Sequence, residues 1–147
     1  MRYFEDVEVG STAAFGSYDV TAEEIKEFGT KYDPQPFHTD EEAAADSFFG
    51  ELVASGWHTM AMCMRMIAEQ PEPLAALAGV EVEHIRWRKP VRPGDTLHLR
   101  TEVLDKQPST KHGDRGYVTT AGEAVNGDDE VVTTFEVVAL VKGRAYD

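Results

Sequence analysis

Two side chains in the stretch KYDPQPFHTD, Asp33 and His38, carry the groups most often used to move protons in enzymes, a carboxylate and an imidazole. Pro34 and Pro36 lie between them, and each proline biases the residue before it, Asp33 or Gln35, toward extended backbone. A connection stiffened in this way holds two ionisable groups at a set distance, and partial burial brings their pKa values toward neutrality. Side by side, the pair can hold one water, activate it and shuttle its proton. On these residues alone, a hydrogen bond that merely braces the loop is the alternative reading.

A second element lies at Ala54-Ser55-Gly56, where the helical stretch WHTMAMCMRMIAEQ begins. First-turn N–H groups have no intrahelical acceptor, the helix dipole adds positive character, and glycine lets a ligand approach the backbone closely. A helix start of this kind can receive the oxyanion of a polarised carbonyl at Gly56. The plainer reading is Ser55 as an ordinary N-cap.

The elements that must position these groups are legible in outline. GSTAAFGSYDV reads as a strand. Thr21, with Glu24 three residues on, forms a capping-box pattern that predicts a helix over Ala22 to Lys31. Thr39 or Asp40 can cap a short helix in DEEAAADS. The helix after Gly56 is apolar on nearly every face and ends before Pro71 and Pro73, so burial all round is expected, with its methionines as core filler. After it come four β-rich runs punctuated by Gly94-Asp95, Gly113-Asp114 and Asn126-Gly127. Helices in one half and strands in the other predict an α+β fold with an antiparallel sheet curled around the apolar helix. There is no repeat or linker, so one domain over residues 1–147 is expected.

Charge narrows the functional classes. The formal net charge is −13, which opposes binding to nucleic acid or to an anionic membrane surface. No apolar run reaches the ~20 residues of a membrane span, the N-terminus lacks a signal-peptide pattern, and Cys63 stands alone. A cytoplasmic location is the expectation. Against this acidic background RWRKPVR concentrates Arg86, Arg88, Lys89 and Arg92, as a dimer contact, a solvated strand end or a seat for a small polyanion. Strand alternation would send Arg86 and Arg88 to one face and Trp87 to the other. His84, His98 and His112 lack metal-ligand spacing and read as structural or solvated; no metal is expected.

DPQPFH, the glycine opening the helix in ELVASGWHT, and the later IRWRKPVRPGDTL together resemble the MaoC-like dehydratase, or (R)-specific enoyl-CoA hydratase, family. The resemblance covers most of the chain. It implies a hot-dog fold, an antiparallel sheet wrapped around one long helix, usually as a homodimer with active sites near the interface. By position it makes Asp33 and His38 the catalytic pair and Gly56 the oxyanion-hole donor, with Gln35 and Ser55 beside the substrate. It implies addition of water to an acyl-CoA or acyl-carrier enoyl thioester, or the reverse, without metal or redox cofactor. Arg86 and Arg88 then become candidates for the coenzyme A phosphates. Two positions depart from the family pattern: Gln35 stands where Asn is usual, and Ser55 where His often precedes the glycine. Within the same fold, a thioesterase and a non-catalytic acyl-thioester binding module are the competing readings.

Overall fold

A computed structural model describes residues 1–147. The N-terminal β-rich run forms β1 (Thr12–Asp19), and the later runs form β2 (Ala76–Trp87), β3 (Thr96–Pro108), β4 (Arg115–Val125) and β5 (Val131–Lys142). Every ladder is antiparallel, and the order across the sheet is β1-β3-β4-β5-β2. The β4–β5 connection is closed by Asn126, whose Oδ1 accepts from the backbone N–H groups of Asp128 and Glu130, both at 3.0 Å. With one long helix against this sheet, the α+β hot-dog arrangement is the fold of the chain.

Four helices lie between β1 and β2: α1 (Ala22–Tyr32), α2 (Pro36–Thr39), α3 (Glu41–Ala45) and α4 (Gly56–Glu69). Thr21 caps α1, its Oγ1 accepting from the Glu24 N–H at 3.2 Å. The reciprocal half of the expected capping box is absent, because the Glu24 carboxylate turns away to Tyr18 and His58. Asp40, rather than Thr39, caps α3, accepting from the Glu42 N–H at 2.9 Å. The stretch between the prolines also differs from expectation. Gln35 is extended, with φ −78° and ψ 143°, but Pro36 then opens the helical turn α2. Its locked φ and missing N–H suit a first helical position, so a helical turn, not an extended loop, presents His38.

One face of α4 enters the core. Met62, Cys63 and Met66 pack with Ile25, Leu97, Leu99 and Phe135, all buried. The helix approaches β1 closely where that strand loses register between Phe15 and Tyr18. Gly16 sits there at φ +86°, and a Cβ on it would lie 2.6 Å from Met66 Sδ, so only glycine fits. The opposite face of α4 is not buried by this chain. Trp57 is 58% and Met64 56% exposed, with Ala61 and Ala68 completing a stripe at helical spacing. All-round burial is therefore corrected to burial on one side. At the far edge of the sheet, β2 pairs only with β5 and shows half-exposed Val80 and Val82.

Candidate active site

Three backbone features bring the site together: the C-terminus of α1, the turn α2 and the first turn of α4. Asp33 is the C-cap of α1, its N–H donating to the Gly29 carbonyl. His38 is buried, and its Nδ1 lies 2.7 Å from the Val53 carbonyl oxygen. A carbonyl can only accept, so Nδ1 carries a proton and Nε2 is the nitrogen free to gain or lose one. Nε2 points at Asp33 Oδ2 across 3.4 Å, just beyond ordinary hydrogen-bond length. The carboxylate is held from two further sides. Ser55 Oγ donates to Oδ2 at 2.7 Å and Gln35 Nε2 donates to Oδ1 at 2.8 Å.

These contacts set the charge on Asp33. Partial burial pushes its pKa up. Hydrogen bonds from Gln35 and Ser55, together with His38, outweigh that effect and hold it below the usual 3.8. Asp33 is thus an anion at neutral pH. Against an imidazole Nε2 that carries no proton, the carboxylate would present acceptor against acceptor. The arrangement becomes favourable when a proton, or a water donating to both, sits between them.

Gly56 supplies the complementary group. It is the first residue of α4, and its N–H makes no hydrogen bond within the protein. Asp33, Gln35, His38 and Gly56 line a single cavity of about 480 Å³. Trp87 sits directly on the glycine: a Cβ at position 56 would lie 2.3 Å from Trp87 Cε2. Trp57 meets Trp87 edge to face, with ring centroids 5.4 Å apart, and Phe48 and Phe49 complete an aromatic margin. An acceptor on Gly56 and a water on the Asp33/His38 pair would therefore share one partly aromatic cavity, the requirements of water addition to a polarised double bond.

The other candidate residues divide. Gln35 lines the cavity, but its amide is committed to Asp33. Ser55 is fully buried, accepts from the Trp57 N–H as N-cap and donates to Asp33. It is absent from the cavity lining, and its hydroxyl is committed to the carboxylate. Arg88 lines the cavity and its Nε donates to Thr134 Oγ1 at 3.1 Å, while Arg86 lies exposed on β2 outside it. Alternation does not separate Arg88 from Trp87 as expected, because β2 ends at Trp87 and both line the cavity. Lys89 pairs with Glu130, and Arg92 with Glu51 at 3.6 Å. His84, in the left-handed region at φ 55°, is exposed and hydrogen-bonded to Glu136 at 2.6 Å.

Sequence reasoning missed the aromatic lining. Phe48-Phe49 ahead of the helix start, Trp57 beside Gly56 and Trp87 inside the basic run were its local signals.

Sheet, helix and cavity together define a hot-dog protein. The chain belongs to the MaoC-like family, whose profile, described as MaoC like domain, matches residues 6–125. The solved MaoC-like dehydratase from Rhodospirillum rubrum is 41% identical, with a TM-score of 0.92 over 99% of this chain and 100% of that one. R-Hydratase PhaJ1 from Pseudomonas aeruginosa, solved without ligand, is 26% identical, with a TM-score of 0.75 over 97% of this chain and 86% of that one. The 3-hydroxybutyryl-CoA dehydratase of Methylorubrum extorquens is 27% identical over 132 residues, 88% of this chain and 82% of that protein. Membership supports a hydratase or dehydratase enzyme.

Proposed function

We propose that this chain is an (R)-specific hydro-lyase that adds water to a trans-2-enoyl-CoA, or removes it from the 3-hydroxyacyl-CoA. The observation that carries the reading is the placement of Asp33, His38 and the free Gly56 N–H around one cavity. The substrate's carbonyl oxygen accepts from Gly56 N–H, which draws electron density from the Cα=Cβ bond. A water between His38 Nε2 and Asp33 Oδ2 gives one proton to the pair as its oxygen bonds to Cβ. The π electrons move into an enolate whose charge rests on the oxygen at Gly56. The pair then returns that proton to Cα, so one water is added and nothing is oxidised or reduced. Arg88, which has no carboxylate within ion-pair distance, is placed to meet a coenzyme A phosphate. The relatives named as a 3-hydroxybutyryl-CoA dehydratase and an R-hydratase support the substrate class and the stereochemistry.

The working unit in this reading is a homodimer. The stripe of Trp57, Ala61, Met64 and Ala68 on α4 and the free edge of β2 offer apolar surface and unpaired backbone for a second copy. Light scattering should give twice the chain mass, and a monomer at micromolar concentration would remove the dimer from the account.

Mixing with crotonyl-CoA tests the reaction. The enoyl-thioester absorbance should fall without release of free thiol, and chiral analysis should return the (R)-3-hydroxyacyl product. Thiol release would indicate the thioesterase reading, and an (S) product would contradict the stereochemistry. No change with crotonyl-CoA or with longer enoyl-CoAs would count against hydration altogether.

A further inference from the structure

His58 stands on the first turn of α4, two residues after Gly56, and is 3% exposed. The chemistry described above does not use it. Its Nε2 lies 3.1 Å from Glu24 Oε1, and the same carboxylate oxygen accepts from the Tyr18 hydroxyl. Phe28 stacks on the imidazole, with centroids 4.8 Å apart and planes 9° from parallel. Nδ1 is buried with no hydrogen-bond partner. An ionised carboxylate can only accept, so Nε2 is the protonated nitrogen and Nδ1 is a bare acceptor shut inside the protein. Leaving an acceptor unpaired costs stability, and a leucine or methionine would pack against Phe28 without that cost. The imidazole is therefore poor core filler, and its use lies in the N–H it gives to Glu24.

Glu24 in turn gives up its role at the start of α1, where its carboxylate would close the capping box with Thr21. The two departures join β1 through Tyr18, α1 through Glu24 and Phe28, and the first turn of α4 through His58. The C-cap of α1 is Asp33, and the first residue of α4 is Gly56. One hydrogen-bonded chain thus ties the element that ends in the carboxylate to the turn that presents the oxyanion amide. A second tie, Ser55 to Asp33, lies about one turn away at the N-cap of α4.

We propose that His58 is a positioning residue: through Glu24 and Tyr18 it fixes the first turn of α4 against α1, and so sets the Gly56 N–H relative to Asp33 and His38. The proposal rests on the hydratase reading for its kinetic arm only. Glutamine places its side-chain N–H near the position of the imidazole Nε2–H, whereas leucine fills the space without a donor.

The test combines three single variants and one double, with crotonyl-CoA as substrate and the Gly56 amide resonance as a structural reporter. His58→Leu and Glu24→Ala should each lower kcat by about tenfold with KM within about twofold, the signature of a displaced donor rather than lost binding. The double variant should be no slower than either single, because both act through one contact. His58→Gln should stay within about threefold of wild type. The Gly56 amide resonance should move in His58→Leu and Glu24→Ala and stay in place in His58→Gln. Thermal unfolding of His58→Leu should be no earlier than that of wild type, since the orphaned acceptor is gone. Unchanged kcat and an unmoved Gly56 resonance in His58→Leu, equal losses in His58→Gln and His58→Leu, or multiplicative losses in the double variant would each overturn the proposal. If His58→Leu does not fold, Glu24→Ala tests the same contact from the half-exposed side, and wild-type kcat with an unmoved Gly56 resonance there overturns it. An inactive wild-type protein would sink the hydratase reading, while the resonance shifts would still decide the clamp.

Discussion

Asp33→Asn should lose turnover of crotonyl-CoA by about three orders of magnitude while remaining folded, and His38→Ala should do the same. A loss of that size corresponds to about 4 kcal/mol of transition-state stabilisation. Asparagine keeps the size of the side chain and can still exchange hydrogen bonds with Gln35 and Ser55, so the α1–α4 junction should persist. What it lacks is the negative charge that makes the pair a base. His38→Ala removes the imidazole nitrogen that faces Asp33 and leaves the Val53 carbonyl unpaired. Its stability should therefore fall more than that of Asp33→Asn. The pH dependence of stability separates the charge from the shape. Asp33 has a folded pKa below its unfolded value, so its contribution is complete above about pH 4 and is lost as pH falls through the lower folded value. Denaturant unfolding should show wild type and Asp33→Asn running parallel between about pH 5 and 8, with wild type losing ground below about pH 4. A variant of either residue with near wild-type kcat/KM would remove the pair from the chemistry.

Gly56→Ala should cost about a hundredfold in kcat, the scale set by loss of one oxyanion donor. The substitution does not delete the N–H. It puts a methyl 2.3 Å from Trp87 Cε2 and 2.5 Å from Trp87 Nε1, too close for both to stay. Trp87 is nearly half exposed and can swing outward, so the protein should fold with only a modest loss of thermal stability. Either the indole then leaves the cavity wall or the first turn of α4 shifts, and both spoil the donor's surroundings. Shrinking the indole distinguishes this steric cause from an unrelated defect. Trp87→Ala on its own should be impaired, but Gly56→Ala/Trp87→Ala should recover part of the activity that Gly56→Ala loses, a coupling opposite in sign to two independent losses. Full activity in Gly56→Ala would mean that the amide is not used.

The sequence made the local devices readable and left the distant contacts hidden. Thr21 as a helix cap, the Asp33-to-His38 spacing and Gly56 at a helix start are each encoded within a few residues, and each stands in the structure. The four β-rich runs are likewise visible from turn residues and alternation. Pro36 misled the backbone reading because a proline that breaks a helix in its interior also starts one well. The faces of α4 misled because Trp57, Ala61, Met64 and Ala68 are as apolar as the buried face, and residue type alone does not say which face the sheet will cover. Trp87 on Gly56 and His58 on Glu24 were invisible for a different reason. They join residues distant in sequence, 34 apart in the second case, and no local pattern encodes which strand or helix will arrive opposite. Glu24 is the clearest instance: its spacing from Thr21 says capping box, and a tertiary contact takes the carboxylate elsewhere.

Oxygen-18 water tests the hydration chemistry most directly. Crotonyl-CoA incubated with the wild-type protein in labelled water should give a 3-hydroxyacyl-CoA with the label on the C3 hydroxyl and the thioester intact, and Asp33→Asn should give almost none. Label in a free carboxylate, with coenzyme A released, would show attack at the carbonyl instead and contradict the assignment of Asp33, His38 and Gly56 to water addition across the double bond.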